Sequence, residues 1–316
     1  MNGKMIGVIL AAGQGSRIEP LSIYRPKPLL PVCNKPILQY QLEDMRRIGI
    51  REVILVVGHL KEGIVSRFGD GAWLGMHITY VEQKEKLGIA HAVGQLEPYV
   101  NDPFLLFLGD IFMMAPRLRE MIDLFWERKA GAVLAVKREA DPARISRNFA
   151  VVMHPSGTVS RVIEKPRCPP SDLKGCGIYA FDLSIFDAIR RTPRTAQRDE
   201  YELTNSIQIL IEDGYPVYPA EVVDMDVNVT VARDLLECNL AQLKRLGVDS
   251  VIGEGVTLAE GARVENSVLG DGVVVKHPIR IQDSLILSGT VVDTPHDLVR
   301  QLVTPEVTLD LREATP

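Results

Sequence analysis

Short apolar runs separated by polar, glycine-containing stretches mark the first half of the chain, at residues 5–10, 53–58, 78–82, 104–108 and 132–136. Between them the apolar spacing turns helical. Ile37, Tyr40, Gln41, Met45 and Ile48 recur at helical intervals, with Pro36 suited to a first turn and Gly49 to a stop, and residues 118–126 read the same way. Strand-length runs alternating with helices predict an α/β fold, a Rossmann-like, mostly parallel sheet flanked by helices. From residue 150 to about 228 the strands are less regular, at 159–163, 178–181 and 217–227, with helices at 185–190 and 203–212. No Ser/Gly-rich linker precedes this stretch, so it is expected to extend the same domain in α+β fashion. Residues 231–246 predict a closing amphipathic helix.

Beyond Gly247 the pattern changes again. Ile252, Leu258 and Val264 recur every six residues, and after a one-residue slip Leu269, Val275, Ile281 and Leu287 keep that period, with Gly253, Gly255, Gly261, Gly270 and Gly272 interleaved. A six-residue aliphatic period with glycine at turns predicts a short left-handed β-helix of the hexapeptide kind, each side of a triangular coil supplying one inward side chain. The expected division is a main domain at 1–247, a hexapeptide-repeat segment at 248–303 that caps it or drives assembly into a homo-oligomer, and a frayed tail at 304–316.

Composition narrows the partners. A hydrophobic fraction of 46% and a charged fraction of 24% over 316 residues exclude extended disorder and fibrous classes. Lys and Arg total 36 against 41 Asp and Glu, a net charge of -5, so no global basic field exists to hold nucleic acid, and an anionic substrate needs a local pocket. The four cysteines lack metal-ligand spacing and read as reduced thiols. The apolar run at the start stops at a Gly-rich turn rather than a cleavage site, and no run is long enough to cross a membrane, so a cytoplasmic protein with no membrane partner is expected.

The candidate chemistry begins where the first strand ends. Leu10-Ala11-Ala12-Gly13-Gln14-Gly15-Ser16-Arg17 leaves a strand as a Gly-rich loop, and Lys27 follows between Pro26 and Pro28. Glycine lets backbone N–H groups approach a phosphate closely, and the prolines stiffen the chain that presents the lysine. The loop lacks the third glycine and immediate helix of a dinucleotide fingerprint and the Gly-Lys-Ser/Thr of a P-loop. Asp110 follows the most apolar run, so its carboxylate is expected at the carboxyl edge of the sheet, where open α/β sheets bind ligands.

Together, Gly13-x-Gly15-Ser16-Arg17-x-x-Pro20-Leu21 and Pro26-Lys27-Pro28-Leu29-Leu30-Pro31-Val32 resemble the signature of the sugar-1-phosphate nucleotidylyltransferases. The likeness continues through Gln83 to Val93, Leu108-Gly109-Asp110, Glu164-Lys165-Pro166 and Val227-Asn228 into the hexapeptide tail. Within that family the chain looks most like the branch using dTTP or UTP, including the long glucose-1-phosphate thymidylyltransferase type. The resemblance implies a nucleotide site at Leu10, Ala12, Gly13, Gly15, Ser16, Arg17, Gln83 and Gly88, with Gln83 reading the pyrimidine. It implies a sugar-phosphate site at Asn148, Glu164, Lys165, Gly177 and Glu200, and catalytic roles for Arg17, Lys27, Asp110 and Lys165. Mg²⁺ is the expected cofactor, held by Asp110 and by Asn228, which stands where many relatives have a second Asp; Asp226, two residues earlier on the same strand face, is the reserve. Ala150 and Glu19 also depart from common family residues.

The expected reaction joins a nucleoside triphosphate to a sugar 1-phosphate and releases pyrophosphate. The sugar phosphate, with a second pKa of about 6, is already ionised near neutrality, so no general base is needed. Two rivals remain at this point. A non-catalytic regulatory subunit would be expected to lose Arg17, Lys27 or Asp110, and a bifunctional acyltransferase would be expected to have more coils than the few short ones around His277.

Overall fold

The computed structural model describes residues 3–196 and 199–312. The chain divides into two compact units, Met1–Gly13 with Gln41–Asp226, and Gln14–Tyr40 with Val227–Pro316. Neither unit is contiguous in sequence, and the segment carrying Arg17 and Lys27 belongs with the C-terminal part.

The first unit is built on a nine-stranded α/β sheet. Phe104–Leu108, Ile6–Ala11, Glu52–Val57 and His77–Glu82 lie side by side and parallel, the Rossmann-like half predicted from the apolar runs. The three inner strands are apolar on both faces because helices leave neither face in water, whereas the edge strand His77–Glu82 buries only Ile78 and Val81. The chain leaves Ile6–Ala11 toward Glu52–Val57 but returns on the other side as Phe104–Leu108. That reversal opens a crevice at the carboxyl ends of the two strands.

The less regular stretch completes the same sheet, now in mixed orientation. Leu173–Phe181 runs antiparallel to Phe104–Leu108, Ala132–Arg138 and Phe149–Met153, and Val159–Glu164 closes the edge. All nine residues of Leu173–Phe181 are buried. A Cβ at Gly175 would overlap the Phe149 ring, so glycine is required where this strand changes neighbours. Phe104, Phe181, Tyr179 and Phe149 form a ladder with successive centroid separations of 5.6, 5.6 and 6.0 Å. One charged pair sits inside this framework: Lys174 Nζ lies 2.6 Å from Asp226 Oδ2, with the side chains 4% and 3% exposed. Lys137 Nζ approaches the other oxygen at 3.5 Å.

Two local expectations need correction. The run at 217–227 forms two strands, Val217–Ala220 and Met225–Asn228, because the chain turns between them, where the Asp224 N–H donates to Met114 O at 2.9 Å. Pro36 does not begin a helix; it pairs with Pro31 in a two-residue hairpin, and the helix Ile37–Arg47 starts after it.

In the second unit the helix Ala232–Leu246 ends at Gly247 (φ 69°), and a parallel β-helix follows. Its coil is seventeen residues long: Val251 pairs with Val268, and Val268 with Leu285. The one-residue slip seen once in sequence therefore recurs in every coil. Ile286, not Leu287, continues the stack from Ile252 and Leu269, and Val292 and Leu298 continue the other two sides. Each coil turns one corner through a left-handed residue, Asn266, Asp283 and then Arg300. The expected frayed tail is also corrected through Arg312. Thr308–Asp310 folds back antiparallel on Gln301–Val303, with the Thr304 hydroxyl holding the turn through three hydrogen bonds; residues 313–316 lie outside those described.

Ile281 is fully buried in the β-helix core, whereas Ile252, on the first coil, is 47% exposed. Ile281→Ala should cost about 2–5 kcal/mol and Ile252→Ala under about 1 kcal/mol. Equal shifts of the β-helix transition in chemical denaturation would contradict this packing.

Candidate functional site

In the first unit the candidate residues gather at the carboxyl ends of the parallel strands. Gly109 N–H donates to Leu10 O at 2.9 Å, and a Cβ on Gly109 would lie 2.7 Å from that oxygen. Gly58 is similarly tight against Ala12 O at 3.0 Å. Glycines therefore let the neighbouring strand ends close on Leu10 and Ala12, and Asp110 follows at once at the crevice. A Cβ on Gly13 would meet nothing within 4 Å, so the backbone there faces open space.

Gln83 leaves the edge strand with its N–H on Val57 O at 2.8 Å. The preceding Glu82 bonds Lys61 Nζ at 2.5 Å, and that ammonium holds its carboxyl below the usual carboxylate range. Gly88, at φ 110°, packs on the backbone of Tyr201: a Cβ would lie 2.5 Å from Tyr201 O. Tyr201 N–H donates to Leu87 O at 2.7 Å and Ala90 N–H to Tyr201 O at 3.0 Å. Two segments more than a hundred residues apart are thus locked backbone to backbone, which brings Glu200 beside the Gly88 turn.

The sugar-phosphate candidates share a second cluster in this unit. Lys165 sits at φ 40°, an uncommon conformation for a lysine, and its N–H donates to Asn148 O at 2.7 Å. Asn148 Nδ2 in turn donates to Arg144 O at 3.0 Å. Glu164 accepts from Thr204 Oγ1 at 3.2 Å and lies 3.9 Å from Lys165 Nζ. Gly177 is buried at φ 73°, where a Cβ would strike Ile111 Cδ1 at 2.6 Å. Asn148, Glu164 and Lys165 are therefore joined at the ends of the pair Phe149–Met153 and Val159–Glu164, whose register sets Glu164 opposite Phe149.

In the second unit Gly15, Ser16, Arg17 and Lys27 form one packed loop. Gly15 has φ 70°, and its O accepts both Ile18 N–H at 3.0 Å and Ser22 Oγ–H at 2.8 Å. A Cβ there would lie 2.7 Å from Lys27 Cγ, so glycine leaves the space that the lysine stem fills. Lys27 is only 4% exposed, while Ser16 and Arg17 face solvent. Asn228, also exposed, has its amide oxygen 3.5 Å from Thr230 Oγ1.

Taken one at a time, the Asp110 carboxylate and the exposed Asn228 amide oxygen are donors of the kind Mg²⁺ takes, since that ion needs only one or two protein oxygens and completes its shell with substrate phosphates. No cluster of three or more His, Cys, Asp or Glu side chains able to cage a metal occurs among the described residues. Asp226 is already committed to Lys174 and Lys137.

Sequence reasoning missed the residues that hold these groups rather than touch a ligand: Gly58, Tyr201, Thr204 and Lys174. Gly58 carried a local signal as a glycine ending an apolar run, and Tyr201 and Thr204 lie in the run Glu200-Tyr201-Glu202-Leu203-Thr204 that the family resemblance marks by its first Glu, whereas Lys174 carried none.

Residues 6–240 match the family model described as nucleotidyl transferase, and residues 239–312 match that described as GlmU-like, C-terminal hexapeptide. A glucose-1-phosphate thymidylyltransferase of Streptomyces antibioticus is 35% identical over 275 residues, 83% of this chain and 75% of the relative. A UTP–glucose-1-phosphate uridylyltransferase of Haloferax volcanii is 36% identical over 210 residues, 66% of this chain and 85% of the relative. The solved structure of a UDP-glucose pyrophosphorylase complexed with UDP-glucose, 22% identical, aligns with a TM-score of 0.68 over 77% of this chain and 100% of its own, which supports the fold.

The glycine geometry separates two substitutions. Gly88→Ala forces a Cβ into the Tyr201 backbone at a left-handed position and should destabilise the fold by about 1–3 kcal/mol. Gly13→Ala should leave the melting temperature unchanged yet raise KM for the nucleotide, since the added methyl occupies only open space. A Gly13→Ala enzyme with unaltered nucleotide kinetics would show that no phosphate approaches there.

Proposed function

The chain belongs to the sugar-1-phosphate nucleotidyltransferase family, and from that premise we propose that it transfers a thymidylyl or uridylyl group from dTTP or UTP to glucose 1-phosphate in a Mg²⁺-dependent reaction. The observation that carries the reading is the loop of the second unit in which Gly15, lacking a side chain, leaves the space that the stem of the buried, proline-flanked Lys27 fills, so that an ammonium is fixed among residues the family resemblance assigns to the triphosphate. Relatives that act with each of the two nucleotides support the pyrimidine class.

In this reading an ionised oxygen of the sugar phosphate attacks the α-phosphorus. The new P–O bond forms as the bond from the α-phosphorus to the bridging oxygen breaks, and pyrophosphate leaves with that electron pair. Arg17 and Lys27 neutralise the triphosphate, and Lys165 the sugar phosphate. Glu164, fixed by Thr204, accepts from sugar hydroxyls, as does Glu200. Asp110 and Asn228 would hold Mg²⁺, which when bound supplies charge neutralisation on the phosphates. Catalysis of this kind consists of alignment and electrostatics. Gln83 offers a donor and an acceptor to the O4/N3 edge of the pyrimidine.

Arg17, Lys27 and Asp110 are all present, which favours an enzyme over a binding-only regulatory subunit. Asp110→Asn should keep the fold and lower kcat by about 10²-fold or more; retention of a tenth of the activity would refute its role. A matrix of four nucleoside triphosphates against glucose, galactose, mannose and N-acetylglucosamine 1-phosphates should give highest turnover with dTTP or UTP and glucose 1-phosphate. In the same matrix Gln83→Ala should weaken the pyrimidine nucleotide by roughly 1–3 kcal/mol. Preference for a purine nucleotide would overturn the base assignment.

A further inference from the structure

The second unit contains a contact that the proposed chemistry does not use. The hairpin formed by Pro31–Val32 and Lys35–Pro36 turns through Cys33 and Asn34, both at positive φ (46° and 61°). Two consecutive left-handed residues without a glycine are a strained choice for a two-residue turn. The turn is held from outside. Asn34 Nδ2 donates to Leu269 O, inside the β-helix, at 2.8 Å. Cys33 N–H donates to Oδ1 of the fully buried Asn239 at 2.7 Å, and Asn239 Nδ2 donates to Pro31 O at 3.1 Å and Leu235 O at 2.8 Å. Burial raises the Cys33 thiol to about 11, so it stays neutral and adds no charge to the turn.

From this anchor a short, stiff path leads back to Lys27. Pro26, Pro28 and Pro31 restrict the backbone, Leu30 N–H donates to Lys27 O at 3.0 Å, and Leu30 O accepts from Ile37 N–H at 3.1 Å. The same segment faces the β-helix a second time, where Leu21, Tyr24 and Leu30 line a concavity whose other wall is Leu287, Pro305 and Val307. A chain pinned at its turn and stiffened by prolines passes a displacement of the turn to Lys27.

We infer that Asn34 is a positioning residue for nucleotide binding, tying the Lys27 segment to the β-helix through Leu269 O. The β-helix then serves as the fixed support of the phosphate-binding loop. The inference rests on the reading of that loop as the seat of the triphosphate.

The test uses the full-length protein with Asn34→Gly, which keeps the positive φ and removes only the amide, and Asn34→Asp, which replaces the donor by a carboxylate facing a carbonyl. Without substrates, hydrogen exchange in peptides covering residues 14–30 should quicken about threefold or more in Asn34→Gly, while peptides covering 104–108 stay unchanged. KM for the pyrimidine nucleotide should rise about 5- to 15-fold, as for one lost hydrogen bond, with KM for the sugar 1-phosphate within twofold. Asn34→Asp should be worse on both measures. Unchanged exchange and kinetics in Asn34→Gly would reduce Asn34 to a turn residue and overturn the inference. Equal increases in both KM values with a general fall in melting temperature would also overturn it, as plain destabilisation. Faster exchange without a change in nucleotide KM would instead refute the triphosphate reading of the loop, and the positioning role with it.

Discussion

A lysine taken almost wholly out of water sets the terms for the rest of the site. On the proposed reading, a mobile, solvated Lys27 would lose side-chain entropy each time it met a phosphate, whereas a packed one has already lost it during folding. Packing the stem requires a neighbour without a side chain, which Gly15 supplies, and a backbone that does not yield, which the flanking prolines supply. It also requires the loop to close on itself, through Ser22 and Ile18 on Gly15 O. Residues 14–40 cluster with the C-terminal unit and not with the strand they follow, and the hydrogen bonds of Cys33 to Asn239 and of Asn34 to Leu269 O are among the contacts that join them to it.

The first unit solves a similar problem with backbone. Gly58 and Gly109 draw strand ends together, Gly88 seats on Tyr201, and Lys165 accepts an uncommon φ to reach Asn148. In each case the side chain named by the family resemblance is held by a main-chain contact to a distant segment. The arrangement suits a reaction that needs phosphates and a base held in place but no proton abstracted from the nucleophile.

What could be read from sequence follows the same division. The strands at 104–108 and 77–82 were legible because the first is an unbroken apolar run and the second a short one carrying Ile78, Tyr80 and Val81. Asp110 and Gln83 were legible as the residues where those runs stop. The hexapeptide period was legible in its six-residue step, but the seventeen-residue coil was not, because a single slip between Val264 and Leu269 looks like an accident until the next coil repeats it. Asn34, Asn239 and the Lys174–Asp226 pair were illegible for another reason. Their partners lie tens to hundreds of residues away, and an isolated Asn or Lys carries no local sign of a distant carbonyl or carboxylate.

The coil length also governs how the gene can change. Because each residue stacks on the one seventeen places on, and the Ser250–Ser267–Ser284–Gln301 ladder bonds one coil to the next at that interval, an insertion or deletion of any other size shifts three sheets out of register together. Length in this region is quantised. The position of the change matters as well: a whole coil added after Val303 would leave Asn34 facing Leu269, whereas one added between Leu246 and Leu269 would move that carbonyl a full layer away. The two ends of the β-helix thus answer to different constraints, the early coils to the Asn34 contact and the last to the wall of Leu287, Pro305 and Val307 and to the hydrogen bond from Arg233 to Leu311 O.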